Sequence, residues 1–224
     1  EEFSGKTGYF GTYPQVVYVS DQTIIKALGG LSADSDDVIV YNGRKYKYAG
    51  SGNYIEYTPI KWRVIEDRGD SYILLADKVL ARSSYSDTFD GSSSKWENSN
   101  ARNFLNTTFY RRAFTDVEKS DIWTSTVQNH SYTESLSAGP DTKDKVYILS
   151  GPEMHNSDYG FGSNDSRIAH YIAGVETTTE MNTHDQTCYY WTRSLGGLYV
   201  GYLRPVFVGL DGGYWPAMAR FMSG

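Results

Sequence analysis

A β-rich or mixed α+β fold with long loops is what this sequence predicts, and three observations carry the expectation. Aromatic residues make up 15% of the 224, with 20 Tyr, and 22 more are Gly. Rings favour pleated, half-buried surfaces and glycines mark turns, which argues against a helical bundle. Val38-Ile39-Val40-Tyr41, then Asn42-Gly43, then Arg44-Lys45-Tyr46-Lys47-Tyr48 spell a hairpin, because Asn-Gly supplies the two positive-φ residues of a type I′ turn. The apolar runs are also short, and one of them, Ile60 to Ile65, alternates strictly, with Ile60, Trp62 and Val64 on one face.

Taken in order, the ring-Gly-ring run Tyr9 to Gln15 leads into a strand over Val16 to Val19, and Asp21 to Leu28 predicts a short helix ended by Gly29-Gly30. After the hairpin and the Ile60 strand, Asp67-Arg68-Gly69-Asp70 turns the chain. Tyr72 to Ala76 is a continuous apolar run, so it predicts a central strand buried on both faces. A polar loop from Asp77 to Ser94 precedes an amphipathic helix over Trp96 to Leu105. Asn98 or Ser99 can cap it, and Ala101, Phe104 and Leu105 share a face. Thr115-Asp116-Val117-Glu118 is a capping box for a second short helix carrying Val117 and Ile122. Lys145 to Leu149 predicts a strand, Ser150-Gly151-Pro152-Glu153 another helix start, and Arg167 to Ala173 a helix ended by Gly174. No internal repeat or low-complexity linker divides the chain, so residues 1–224 read as one domain.

Several chemistries find little footing. A net charge of -6 disfavours binding phosphate backbones, so no nucleic-acid partner is expected. No run is long or apolar enough to insert in a membrane. The single cysteine, Cys188, excludes an internal disulfide and a Cys-based metal site, and reads as a small buried residue. His184 and Asp185 stand beside it, but catalytic Cys and His normally meet only through the fold. The histidines at 130, 155, 170 and 184 have no metal-ligand spacing, and the clusters Asp34-Ser35-Asp36-Asp37 and Asp141-Thr142-Lys143-Asp144 match no calcium loop. No metal, no cofactor and no catalytic residue is therefore expected. Glu1 is not a Met, so the chain is expected to be a mature or trimmed piece, and its Tyr/Ser/Thr/Asn-rich acidic composition fits export.

The C-terminal stretch stands apart. Tyr189-Tyr190-Trp191-Thr192-Arg193-Ser194 reads as a buried strand at a sheet edge. After it, large side chains recur with neither strand nor helix period, interrupted by Gly196, Gly197, Gly201, Gly209, Gly212 and Gly213. Such a segment is expected on surface loops, where function concentrates. Its candidate ligand-binding residues are Leu198, Tyr199, Tyr202, Leu203, Arg204, Phe207, Leu210, Tyr214, Trp215, Met218, Arg220, Phe221 and Met222. The same rings would equally serve as core of irregular strands, and the residues alone leave both readings open.

The landmarks Phe10-Gly11-Thr12-Tyr13-Pro14-Gln15, Ile60-Lys61-Trp62-Arg63-Val64, Leu74-Leu75-Ala76, Trp96-Glu97-Asn98-Ser99, Arg102-Asn103-Phe104-Leu105-Asn106, Lys145 to Glu153, Tyr190-Trp191-Thr192-Arg193-Ser194 and Asp211-Gly212 follow an order that resembles the bacterial DUF6273 family. The resemblance covers nearly the whole chain. It implies an α+β, C-type-lectin-like fold of the formylglycine-generating-enzyme type, with a small twisted mixed or antiparallel sheet, two or more short helices and long loops. It further implies an exposed surface after the Trp-x-Arg-Ser run, which in variable proteins of diversity-generating retroelements is rewritten codon by codon. On that basis the chain is expected to be a non-catalytic adhesion module, secreted, surface-displayed or in a phage virion, that grips a protein or glycan ligand through residues 195–223. The alternatives are a structural module of a larger cell-surface or phage protein, or an oxidase of the formylglycine-generating type. The latter needs a copper-binding cysteine pair that one Cys cannot supply.

Overall fold

The computed structural model describes residues 7–87, 92, 94–132, 136–171, 187–199 and 202–216. Strand β1 (Thr7–Tyr18) runs antiparallel to a later strand, with bulges between Tyr9 and Thr12 and between Pro14 and Val17. Gln15 fills the gap by donating its side-chain amide to the carbonyls of Thr58 and Pro59, at 2.9 and 2.8 Å. Helix α1 (Gln22–Leu28) begins where Asp21 accepts the N–H groups of Thr23 and Ile24. At the hairpin, Asn42 and Gly43 take φ of 50° and 76°, and β2 (Ile39–Tyr41) folds onto β3 (Arg44–Tyr48) with Tyr41 opposite Arg44.

The spine is β4 (Tyr54–Asp67), which pairs with β1, with β3 and with β5 (Tyr72–Ala76) in one five-stranded sheet. Ile60 and Trp62 point inward as expected, Val64 lies half-buried opposite Leu74, and Ile65 is buried in a second cluster on the other face. The register against β5 shifts between Val64 and Glu66, with Ile65 as the extra residue. Strand β5 corrects the expectation of a central, doubly buried strand: among the described residues it pairs with β4 alone, and Ile73 to Ala76 are half-buried. The run is continuous for another reason. Leu74 and Ala76 pack on the cluster of Tyr13, Ile60, Trp62, Phe109, Ala113 and Phe114, whereas Ile73 and Leu75 pack on Ile65, Leu149, Met154, Phe161 and Val208.

Helix α2 (Asn100–Phe104) starts after a 3-10 turn at Trp96, with Ser99 rather than Asn98 as its cap. It continues through a π-helical turn, Leu105–Phe109, into α3 (Tyr110–Ala113). Helix α4 (Asp116–Asp121) carries the full Thr115–Glu118 capping box, and Glu118 also accepts the N–H of Gly11 at 2.9 Å, tying the helix to β1. Val117 faces solvent at 76% exposure.

The next elements are β6 (Ser125–Val127) and β7 (Thr142–Asp144), which pair. Lys145 to Leu149, expected as a strand, is irregular. Side chains hold its backbone instead of a ladder: Asn106 accepts from Lys145 N and donates to Val146 O, and Arg193 donates to Ile148 O. Arg167 to Ala173 is not helical over its described part. Asp165–Arg167 is a 3-10 turn, and β8 (Ala169–His170) follows, paired with β9 (Thr187–Cys188).

The C-terminal stretch also differs from the expected loop. β10 (Tyr190–Tyr199), β11 (Tyr202–Val208) and β12 (Tyr214–Pro216) form a three-stranded antiparallel sheet in that order. No period of two was visible because β10 is irregular between Trp191 and Leu195 and again before Gly197, and because Pro205 to Val208 are all buried. Pro205, which lacks an N–H, stands opposite Leu195 of β10, and among the described residues β12 pairs with β11 from Val206 onward.

Candidate functional site

The C-terminal sheet is anchored at its root by buried polar side chains that reach backbone oxygens. Arg193, 3% exposed, donates to Gln128 O at 3.2 Å, Ile148 O at 2.7 Å and Glu153 Oε2 at 2.6 Å, with its guanidinium over the Tyr147 ring. Glu153 is fixed in turn by the N–H and hydroxyl of Ser150. The flanking residues Thr192 and Ser194 are fully buried. The Thr192 hydroxyl donates to Val206 O across the ladder, and Ser194 Oγ accepts the N–H of Gly151. Leu195 is clasped from outside the sheet, donating to His130 O and accepting from Tyr132 N.

The far turn is held similarly. Arg167 donates to Gly212 O at 3.0 Å and reaches the carbonyls of Met154 and Phe161 and the side chain of Asn164. Gly212 takes φ of 72°, and a Cβ there would come within 1.8 Å of Asn164 O. Only glycine fits both the left-handed conformation and the close approach. Elsewhere Asp144, 1% exposed, accepts from Trp96 Nε1 at 2.9 Å, Thr142 Oγ1 at 2.6 Å and Arg102 Nε at 2.7 Å. A carboxylate with three donors satisfies the rule that buried charge must be paired.

The candidate ligand-binding residues fall at several separate places. The register brings Leu198 opposite Leu203, Tyr199 opposite Tyr202 and Gly197 opposite Arg204 at one end of the β10–β11 hairpin. Trp215 lies opposite Phe207 and Tyr214 opposite Val208 on β12. Leu203 and Phe207 are four residue steps apart, roughly 14 Å of strand. Phe207, expected on a ligand-facing surface, is 5% exposed and meets Tyr189 edge-on, so it is a core residue and leaves the candidate set. Leu210 is half-buried in the β11–β12 turn. Met218, Arg220, Phe221 and Met222 lie outside the described residues.

Other candidates resolve into framework. Cys188 is 1% exposed and burial pushes its thiol up to about 12, far from a reactive thiolate. His184 and Asp185 lie outside the described residues. Asp34 closes its own turn by accepting from Asp36 N and Val38 N, while Asp36 and Asp37 pair with Arg111 and Arg112. Among the described residues no group of three His, Cys, Asp or Glu stands close enough to hold a metal ion. Sequence reasoning missed Arg167 and Asn106. Arg167 carried a signal, a lone cation leading an apolar run. Asn106 stood in a family landmark, but nothing local pointed to its role, which depends on a segment 40 residues away.

The family model described as a domain of unknown function, DUF6273, matches residues 69–220. No curated protein and no solved structure matches the chain.

Proposed function

The chain belongs to the DUF6273 family, and from that premise we propose that it is a non-catalytic binding module of C-type-lectin-like architecture. It grips a protein or glycan ligand through the β10–β11 hairpin end and β12, with Leu198, Tyr199, Tyr202, Leu203, Arg204, Tyr214 and Trp215 as its contact positions, and it works outside the cell or on a virion. One observation carries this reading: the root of the sheet is fixed through backbone oxygens by framework side chains, above all Arg193 and Arg167. A backbone held that way leaves the hairpin end free to change sequence without losing its shape. Diversification by a retroelement is the mechanism that would use such a surface. A standard interface covers about 800 Å² on each partner, a disc about 30 Å across, so both clusters of positions fall within one footprint.

The test screens the purified protein on a glycan array and on intact bacterial cells, then repeats the screen with Tyr214→Ala and Trp215→Ala combined. Lost binding with an unchanged Tm is the expected result; retained binding with an intact fold overturns the site. The genomic counterpart is a near-copy of the 3′ coding end, differing only at adenines, beside a reverse transcriptase gene. A neighbourhood with neither overturns the diversification. The burial of Val206, Phe207 and Val208 favours a second reading, in which the segment is the packed core of a structural module.

A further inference from the structure

A cavity of about 1370 Å³ opens beside β5, larger than the ~300–1,000 Å³ of most small-molecule pockets. On the inner face of β4 and β5 its wall includes Ile73, Leu75, Leu149, Met154 and Phe161. Arg63 lines the same space. It stands opposite Leu75 in the β4–β5 ladder, half-buried, with its guanidinium 4.9 Å from the centre of the Phe161 ring.

Arg63 differs in its partners from Arg102, Arg193, Arg167 and also Arg112, which pairs with Asp37. Arg102 and Arg193 sit on carboxylates and Arg167 on a fan of oxygens. Among the described residues, Arg63 has no carboxylate or carbonyl within bonding distance. The nearest acidic influence is Asp77, which is itself shared with Lys61 at 3.6 Å. Burial accordingly holds the Arg63 guanidinium below its usual range. A ring face offsets only part of the cost of taking such a cation from water, and its planar fork of five N–H donors, half-buried at the cavity, is left to solvent or a ligand. A carboxylate matches that fork with two parallel hydrogen bonds.

We propose that this cavity binds a small amphiphile bearing one carboxylate, with the acid group on Arg63 and the hydrocarbon body against Leu75, Met154 and Phe161. Tyr190 and Trp191 at the root of the C-terminal sheet also line this cavity, but the hairpin end and what that end binds play no part in the proposal.

The experiment is calorimetric titration of the whole chain with decanoate and with decanol, both below their micelle or solubility limits. Decanoate is expected to bind about ten- to a hundredfold more tightly than decanol, the range for hydrogen bonds to a charged group. Arg63→Met is expected to abolish that preference while leaving decanol binding in place, and Arg63→Lys to restore part of it. Equal affinities for the two probes in the native chain, or no binding of either, would overturn the proposal. So would an undiminished preference in Arg63→Met. Because the decanoate–decanol comparison is made on the native chain, a variant that fails to fold does not remove the test.

Discussion

The two main sheets of this protein are built on opposite principles. The five-stranded sheet around β4 is held by its side chains: Ile60, Trp62 and Tyr13 form a core with Phe109 and Phe114, and the register follows the pleat and the Asn42–Gly43 turn. The three-stranded C-terminal sheet is held largely by its backbone. Arg193, Thr192, Ser194 and Arg167 bind carbonyls and N–H groups at its root and far turn. A sheet of the first kind reports each change of side chain as a change in stability. One of the second kind is sensitive at its clamps and at its buried residues Leu195, Val206, Phe207 and Val208.

The comparison breaks first at Arg193. Its replacement by Met strands the Glu153 carboxylate and two carbonyls, and is expected to cost about 3–5 kcal/mol in urea unfolding. A loss below about 1 kcal/mol would remove the distinction between the sheets. Gly212→Ala comes next, at about 2–3 kcal/mol, because the left-handed backbone and the contact with Asn164 O cannot both be kept; an unchanged urea midpoint would show that Arg167 does not clamp this turn. In the other sheet, Ile60→Val removes one methylene from a fully buried site and is expected to cost about 1 kcal/mol by the same measurement.

A smaller effect, confined to acid, follows from Glu118. Burial pushes its carboxyl up, but the N–H and hydroxyl of Thr115 and the N–H of Gly11 together hold it below the usual carboxylate range. A depressed folded-state value means that its contribution is present above the unfolded value of about 4.3, and is lost as pH falls through the lower folded value. Glu118→Gln is expected to flatten the fall of stability in that window. An identical acid profile would show that β1 and α4 are not coupled through this group. Smallest of all, Tyr199→Ser and Tyr214→Ser are expected to shift stability by no more than about 0.5 kcal/mol. A loss as large as that of Ile60→Val would mean that these rings serve the fold.

How much of this was legible in the sequence follows the same division. The hairpin at Asn42–Gly43, the box at Thr115–Glu118 and the inward Ile60 and Trp62 are local rules, and they read correctly. Tyr72–Ala76 misled as to place: its two faces do meet two clusters, but among the described residues it pairs with β4 alone and stays half-buried rather than central. Lys145–Leu149 misled because Asn106 and Arg193 replace a ladder, and no local pattern announces partners 40 residues distant. Around the candidate site, the Trp-x-Arg-Ser run was singled out, but its paired strands were hidden by bulges and by double burial. Phe207 looked like its neighbours Leu203 and Leu210, and only the register shows that it sits between Trp191 and Trp215.

Strand β5 has one more consequence. The stretch that marks the family begins at residue 69, just ahead of β5, while the strand it is zipped to ends at Asp67. A gene fragment cut at that border would carry an unzipped ribbon and two half-filled interiors, missing Ile60 and Trp62 from one and Ile65 from the other. In this chain the stretch matched by the family model is therefore shorter than the unit that packs together, and an expressed fragment of it should begin upstream of β1.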